Sequence, residues 1–113
     1  MSDCLFCKFV AREIVPDVVA ESEHSLAFRD INPQAPTHVL VVPKRHVENA
    51  GELAKASAEE LADLVLLARA AARQDGLVDG YRLVFNTGAQ SGQTVFHAHL
   101  HVLGGRTMEW PPG

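Results

Sequence analysis

Along this 113-residue chain, the spacing of hydrophobic residues alternates several times between the pattern of a helix and that of a strand. Near the N-terminus, Phe6, Phe9 and Val10 have the i, i+3, i+4 spacing of one helix face. This spacing predicts a short helix over residues 5–13, which Pro16 ends. Short apolar runs separated by polar turns follow and predict the first strands. These strands cover residues 18–21, 25–28 and 38–43.

The second half of the chain begins with Ser57-Ala58-Glu59-Glu60, a capping-box sequence that precedes apolar residues at helical spacing. We expect a long helix over residues 58–74 that ends at Gly76. Its predicted buried stripe consists of Leu61, Leu64, Val65 and Ala68. Two further strands are predicted over residues 81–86 and 94–103, with a loop over 87–93.

The order of these elements is typical of an α+β fold with a mostly antiparallel sheet. No repeat, low-complexity tract or linker divides the sequence, so we expect one domain over residues 1–113. A hydrophobic fraction of 47% is enough for a core that needs no disulfide bonds.

Charge and hydropathy narrow the classes of function. The net charge is -4, and the ten Lys and Arg residues are dispersed, whereas a general nucleic-acid binder normally has a basic stripe. The chain has no run of 18 apolar residues and no N-terminal pattern of a secretory signal. We therefore expect a cytoplasmic protein with no nucleic-acid partner and no membrane association.

Three histidines alternate with apolar residues in His97-Ala98-His99-Leu100-His101. On the predicted strand the three imidazoles share one face, because alternate side chains of a strand point the same way. Neighbouring imidazoles disfavour each other's charged form, so strand formation alone gives no reason for three of them. Two chemistries use such a face. One is a catalytic zinc site, and the other is nucleophilic attack on phosphorus or an acyl carbon.

The loop before these histidines favours phosphate chemistry. Gly88 and Gly92 let the backbone approach a ligand closely, while Gln93 and Thr94 add an amide and a hydroxyl. Neutral donors beside a nucleophile stabilise a phosphate oxyanion. The loop contains no carboxylate that would favour magnesium.

His97-Ala98-His99-Leu100-His101-Val102-Leu103 resembles the motif of the histidine triad (HIT) family. Other segments resemble its Hint branch, and the resemblance covers nearly the whole chain. It implies a HIT-like fold, with a five-stranded, mostly antiparallel sheet, one long helix and one short helix. It also implies a homodimer across which the sheets continue. The Hint-like segments are residues 28–38, Val42-Pro43-Lys44-Arg45-His46, Asn86-Thr87-Gly88 and Trp110-Pro111-Pro112-Gly113.

The resemblance implies a purine nucleoside phosphoramidase that hydrolyses adenosine 5′-phosphoramidates to AMP and an amine. By position, His99 is the nucleophile that forms a nucleotidyl-histidine intermediate, and the backbone carbonyl of His97 fixes the proton on the His99 ring. His101 and His38 contact the phosphate. The other residues that the resemblance places around the phosphate are Asn86, Gly92, Gln93 and Thr94.

The resemblance also assigns the nucleoside contacts. Asp30 takes the ribose hydroxyls, because one carboxylate can accept hydrogen bonds from both. Phe6, Phe28 and Ile31 line the base pocket, although each of them alone is equally explained by core packing. Arg29 lies at the expected base edge.

Both cysteines belong to the motif Cys4-Leu5-Phe6-Cys7, a spacing that indicates metal or redox chemistry in a reducing compartment. The chain resembles CxxC-containing, bacterial-type Hint members in which the pair binds zinc. In them, the matching additional ligands are His46 and His97. Two thiolates and two imidazoles form a closed, structural Zn²⁺ site, so catalysis itself needs no cofactor. Free buried thiols and a redox pair are the alternatives.

Three other functions stay open. A dinucleoside polyphosphate hydrolase or nucleotidyl transferase would use the same nucleophile, but the Hint-like C-terminus favours the phosphoramidase. A zinc-dependent hydrolase would use all three histidines of the triad. A nucleotide-binding adaptor would have weak catalysis.

Overall fold

The computed structural model describes residues 3–113, and its centre is an antiparallel sheet. The five strands are β1 Val18–Glu21, β2 Ser25–Arg29, β3 Thr37–Pro43, β4 Tyr81–Phe85 and β5 Leu100–Gly104. Their order across the sheet is β1-β2-β3-β5-β4, and every neighbouring pair is antiparallel. The predicted α+β class and five-stranded sheet are confirmed. The single domain over residues 1–113 stays a prediction.

The long helix has the predicted bounds but a different buried stripe. The three helices are α1 Leu5–Val10, α2 Ala50–Ala56 and α3 Ala58–Gln74. Ser57 caps α3, since its hydroxyl accepts a hydrogen bond from the N–H of Glu60 at 3.1 Å. The prediction that Val65 is buried is wrong, because 38% of it is exposed. The buried stripe of α3 is Leu64, Leu67, Ala68, Ala71 and Ala72.

Helix α1 ends three residues earlier than predicted. Arg12 has a left-handed backbone with φ 63°. The N–H of Glu13 donates to the carbonyl of Lys8 at 2.9 Å, and the N–H of Arg12 donates to that of Phe9 at 3.2 Å. This is the Schellman pattern that closes a helix, so Pro16 is not what ends α1.

Helix α2 is absent from the sequence-based prediction, which included only one short and one long helix. Its cap is Asn49, whose side-chain oxygen accepts a hydrogen bond from the N–H of Glu52 at 3.0 Å. Asn49-Ala50-Gly51-Glu52 thus has the capping spacing that was used to find α3. Gly51 weakens the helical pattern, because glycine is a poor helix former.

The last strand begins at Leu100, so the prediction of a strand over residues 94–103 is wrong for residues 94–99. The preceding segment is held against the chain that follows β3. The Gln93 amide donates to the carbonyls of Glu48 and Val95, and the N–H of Ala98 donates to Val47 at 2.8 Å. These bonds replace strand pairing, so His97 and His99 precede the sheet.

The sheet separates two hydrophobic clusters. One face packs on α3 through residues such as Ala27, Val39 and Val41. The other face is smaller, and there Phe6 of α1 packs against residues such as Phe28. No helix among residues 3–113 is both long and apolar enough to cross a membrane.

Candidate active site and metal cluster

The α1 face of the sheet contains a largely apolar cavity of about 540 Å³. It brings together seven of the predicted site residues, which are Phe6, Phe28, Asp30, Ile31, Thr94, His99 and His101. A second cavity, of about 640 Å³, lies at residues 76–82 and 105–108 and contains none of these residues. The smaller cavity is therefore the candidate active site.

Hydrogen bonding defines the tautomer of His99. Its Nδ1 lies 2.8 Å from the carbonyl oxygen of His97. A carbonyl only accepts, so Nδ1 carries the proton and donates it. In the neutral ring, Nε2 therefore keeps its lone pair, which is the form an imidazole nucleophile needs. His99 is 8% exposed, and the ring of Phe6 meets it edge-on with 5.1 Å between centroids.

Hydrogen bonds also define the tautomers of His38 and His101. The N–H of Gln34 donates to Nδ1 of His38 at 3.0 Å, so the His38 proton lies on Nε2. This Nε2 lies 2.9 Å from Nδ1 of His101 and donates to it. The proton of His101 is thereby placed on its own Nε2. That atom is buried and has no hydrogen-bond partner among the described residues.

Burial keeps these two rings neutral. Burial, followed by the neighbouring His99 and His38, lowers the pKa of His101 to about 4. Burial also lowers the pKa of His38, against the opposing attraction of Asp30. His101 is therefore a neutral donor beside His99 near pH 7, and its unpartnered N–H suits an oxygen of an anionic ligand.

The nucleoside residues lie at the end of β2. One carboxylate oxygen of Asp30 accepts the N–H of Asn32 at 2.8 Å, and the other lies 3.4 Å from Nε2 of His38. Phe28 is buried in the cavity wall, whereas Ile31 is wholly exposed at the rim. Arg29 also lines the cavity, while its guanidinium binds Asp75.

Four predicted phosphate neighbours do not line the cavity, namely His38, Asn86, Gly92 and Gln93. Both ends of the Gln93 amide are used inside the loop, since its oxygen also accepts the N–H of Gly88 at 2.8 Å. The backbone N–H of Gln93 donates to Gly88 as well. Gln93 therefore shapes the loop in this structure.

The predicted zinc ligands converge on one point. Nδ1 of His97 lies 3.4 Å from Sγ of Cys4, 3.5 Å from Sγ of Cys7 and 3.0 Å from Nδ1 of His46. Zinc bonds of about 2.3 Å to sulfur and about 2.0 Å to nitrogen give ligand separations of roughly 3.3–3.8 Å in a tetrahedron. The cluster is close to that size, so its donors fit zinc.

The tautomer of His97 also suits a metal ligand. Its Nε2 donates to the carbonyl of Pro43 at 2.8 Å, which leaves the Nδ1 lone pair facing the two sulfur atoms. Such a bond from the far ring nitrogen orients a metal-binding histidine. His97 therefore turns to the cysteines, as the resemblance implies, and leaves the common face that strand alternation alone predicts for the three imidazoles.

Asp30, His38 and His101 form a second group with metal-like spacing. A metal would need the lone pair of His38 Nε2, which requires the His38 proton on Nδ1. The N–H of Gln34 already points at that Nδ1, so two hydrogens would collide. The geometry disfavours a metal at this position. A zinc hydrolase that uses all three histidines of the triad is disfavoured by a different observation, because Nδ1 of His97 faces the two cysteines.

Sequence reasoning missed part of the cavity wall. Leu5 and Phe9 share a face of α1 at i, i+4 spacing, a signal that the helical pattern already contained. No local signal identifies the wall residues that come from irregular segments. Those are Ile14, Val15, Pro16, Asp17 and Val95.

Comparisons with known proteins agree with this geometry. Residues 11–108 match the HIT domain. A 14 kDa zinc-binding protein of Zea mays is 51% identical over 115 residues, covering 99% of this chain and 89% of the maize protein. A HIT family hydrolase from Legionella pneumophila superposes with a TM-score of 0.92 at 50% identity, covering 98% of this chain and all of that one. A Clostridium thermocellum HIT family hydrolase gives 0.91 at 43%, covering 96% of each chain.

Proposed function

This chain belongs to the HIT family, and on that premise we propose that it hydrolyses purine nucleoside 5′-phosphoramidates, including those of adenosine, to AMP and an amine. Its similarity to HIT family hydrolases supports a nucleotide hydrolase or transferase. One observation carries the proposal. His99 has a single unprotonated ring nitrogen at an apolar cavity, beside the unpartnered Nε2–H of His101.

In the first step, the lone pair of His99 Nε2 attacks the α-phosphorus and forms an N–P bond. The P–N bond to the amine breaks, and the amine leaves with that electron pair and a proton taken up from solvent. The His97 carbonyl stabilises the positive charge on the attacking ring, because it accepts the Nδ1–H. The Nε2–H of His101 donates to a phosphate oxygen as charge develops.

In the second step, water attacks the phosphorus of the nucleotidyl-histidine. The N–P bond breaks, its electron pair returns to His99 Nε2, and the water loses one proton to solvent. AMP is released and the original tautomer is restored. Thr94 lines the cavity near these groups and supplies a hydroxyl to the phosphate.

The remaining nucleotide contacts come from residues of the cavity wall and the groups next to it. Phe6 and Phe28 hold the base, with Ile31 covering it from the rim, and Asp30 accepts from the ribose hydroxyls. His38 acts on the phosphate through the proton position of His101. Gly92 and Gln93 shape the loop beside the phosphate, and like Asn86 they lie outside the cavity wall in this structure.

We also propose that Cys4, Cys7, His46 and His97 hold a structural Zn²⁺, as their spacing and the maize zinc-binding relative suggest. When bound, the ion links α1 to the two segments that carry the histidines. A closed site with four protein ligands has no open position for substrate.

A homodimer is the proposed assembly, and HIT proteins often form dimers. Strand β4 lies at one edge of the sheet, and among the described strands it pairs only with β5. Leu83 and Tyr81 on β4 are exposed apolar side chains. An edge of this kind is a template for a strand of a second copy.

Replacing the proposed nucleophile tests the function. We expect H99A to reduce the turnover of an adenosine phosphoramidate by at least about 10³-fold, since covalent catalysis is lost. AMP and amine release would be followed, with mass spectrometry of the quenched wild-type reaction for the nucleotidyl adduct. H24A is the matched control, because His24 lies in the β1–β2 turn, 3.6 Å from Glu59, and should leave turnover unchanged.

The alternatives give different results in the same assay. Faster turnover of a diadenosine polyphosphate than of the phosphoramidate would favour the polyphosphate hydrolase. AMP binding without turnover of either substrate would favour the adaptor. Full turnover by H99A would contradict the proposed mechanism.

A further inference from the structure

Asp75 lies at the C-cap of α3, where a carboxylate is unfavourable for the helix. The helix macrodipole places partial negative charge at this end, so a cation is the residue that stabilises it. The structure provides that cation from the sheet. Both oxygens of Asp75 bind the guanidinium of Arg29, at 2.6 and 2.9 Å. The hydroxyl of Thr37 donates to the same carboxylate at 2.8 Å.

Arg29 and Thr37 immediately precede two residues of the active site, Asp30 and His38. Arg29 is opposite Val39 in the β2–β3 register, and Val39 belongs to the cluster packed on α3. Alternate strand residues point to opposite faces, so Arg29 and Thr37 face the helix. Of their successors, Asp30 lines the nucleotide cavity, and His38 binds His101, which also lines it.

The loop between β2 and β3 is closed at the same level. The N–H of Asp30 donates to the carbonyl of His38 at 3.0 Å, next to the two residues that Asp75 binds. Asp75 therefore holds both strand ends from behind the sheet, where it makes no contact with the cavity. Arg29 and Asp75 stabilise each other's charged form, because Arg29 lowers the pKa of Asp75 and Asp75 raises the pKa of Arg29.

We propose that Asp75 is a positioning residue which, through Arg29 and Thr37, sets the positions of Asp30 and His38 for nucleotide binding. This inference rests on the proposed function, since it assumes that the cavity binds a nucleotide. Asp75 is not itself among the residues that line the cavity, and it reaches the cavity through Arg29, which does line it. We expect its effect to fall on nucleotide binding rather than on the attack by His99.

A matched control exists on the same helix. Arg45 also binds a carboxylate of α3 with two hydrogen bonds, to Glu60 at 2.9 and 2.8 Å. This pair ties the chain after β3 to the start of α3, away from the loop between β2 and β3. E60Q thus removes an equivalent ion pair without releasing Asp30 or His38.

The test compares D75N, R29Q, the double variant and E60Q. Because small misplacements of binding groups cost up to about 10²-fold, we expect D75N to raise the Kd of AMP and the KM of the phosphoramidate about tenfold. Its kcat should stay within about twofold of wild type. R29Q should behave alike, and the double variant should add little, since both changes break one pair. E60Q should leave Kd and KM unchanged.

Amide hydrogen exchange distinguishes a failure of the positioning role from a failure of the proposed function. Faster exchange over residues 30–36 in D75N and R29Q, but not in E60Q, reports the released loop even without turnover. If wild type neither binds AMP nor turns over the phosphoramidate, the proposed function fails. If wild type binds AMP and both variants match its Kd and KM, or if E60Q shows the same loss, the positioning role is overturned. R29Q provides the same readout should D75N not fold.

Discussion

At the scale of single residues, the proton positions on the imidazoles distinguish histidines that the sequence makes look equivalent. His97, His99 and His101 follow one alternating pattern. Each ring nevertheless has a different hydrogen-bond partner, namely Pro43, the carbonyl of His97, and His38. These partners decide which nitrogen keeps its lone pair. One ring therefore faces the cysteines, and in the proposed mechanism one of the other two attacks and one donates.

This assignment predicts how His101 titrates. Its pKa is lowered to about 4, mainly by burial, whereas an unfolded histidine has about 6.5. Nitrogen-resolved NMR of the imidazole should show a neutral Nε2–H form that persists to about pH 5. H38F should mix the two tautomers, because the hydrogen bond to His101 Nδ1 is lost. A wild-type His101 that is charged at pH 6 would contradict the assignment.

The sign of the stability effect follows from linkage. Between about pH 6.5 and 4 the unfolded chain binds a proton at this position that the folded chain excludes, so stability falls as the pH falls. For one group the slope is at most about 1.4 kcal/mol per pH unit. Urea unfolding of wild type and H101N should therefore diverge across this window and run parallel above pH 7, with zinc effects cancelling in the difference.

At the scale of elements, the sequence predicts the bounds of a helix or strand where a capping residue and a clear apolar spacing occur together. The Ser57 cap and the apolar spacing after it are enough to define α3. The predicted start of the last strand is wrong for a physical reason. Residues 94–99 have the alternation of a strand, but this segment forms hydrogen bonds with the chain after β3. Long-range hydrogen bonds of that kind leave no trace in local periodicity.

The early end of α1 supports a prediction about Arg12. A non-glycine residue in the left-handed region costs roughly 1 kcal/mol, so R12G should be about 1 kcal/mol more stable than R12A. Both variants lose the exposed Arg12–Glu21 ion pair, which makes R12A the matched control. The measurement is the free energy of unfolding in urea. Equal stability of the two variants would show that the Schellman closure of α1 does not depend on this backbone conformation.

At the scale of the whole molecule, two long-range connections hold the active-site segments, and the sequence identified only one of them. The Cys4-x-x-Cys7 spacing and the family resemblance predicted the cluster with His46 and His97. The bond between Arg29 and Asp75 joins residues 46 positions apart and has no motif, so only the folded chain reveals it. The cluster joins α1 to the segment after β3 and to the segment before β5.

The proposed zinc site makes the stability of this arrangement depend on the metal. An ion that binds only the folded chain stabilises it by RT ln(1 + [L]/Kd), about 4 kcal/mol at a thousandfold excess over Kd. Thermal unfolding with a chelator should therefore give a lower midpoint than with one equivalent of Zn²⁺. Hydrogen exchange should locate the loss in α1 and residues 94–99 before it reaches the sheet, because strand pairing does not involve those segments.

The double variant C4S/C7S is the control, since serine hydroxyls are poor zinc ligands at neutral pH. It should unfold at the low midpoint with or without Zn²⁺, while its sheet stays protected from exchange. His97 links this result to the active site, because one residue provides both the Nδ1 of the cluster and the carbonyl that accepts from His99. Loss of zinc should thus loosen the hydrogen bond that orients His99. A zinc-dependent midpoint in C4S/C7S, or none in wild type, would contradict the structural site.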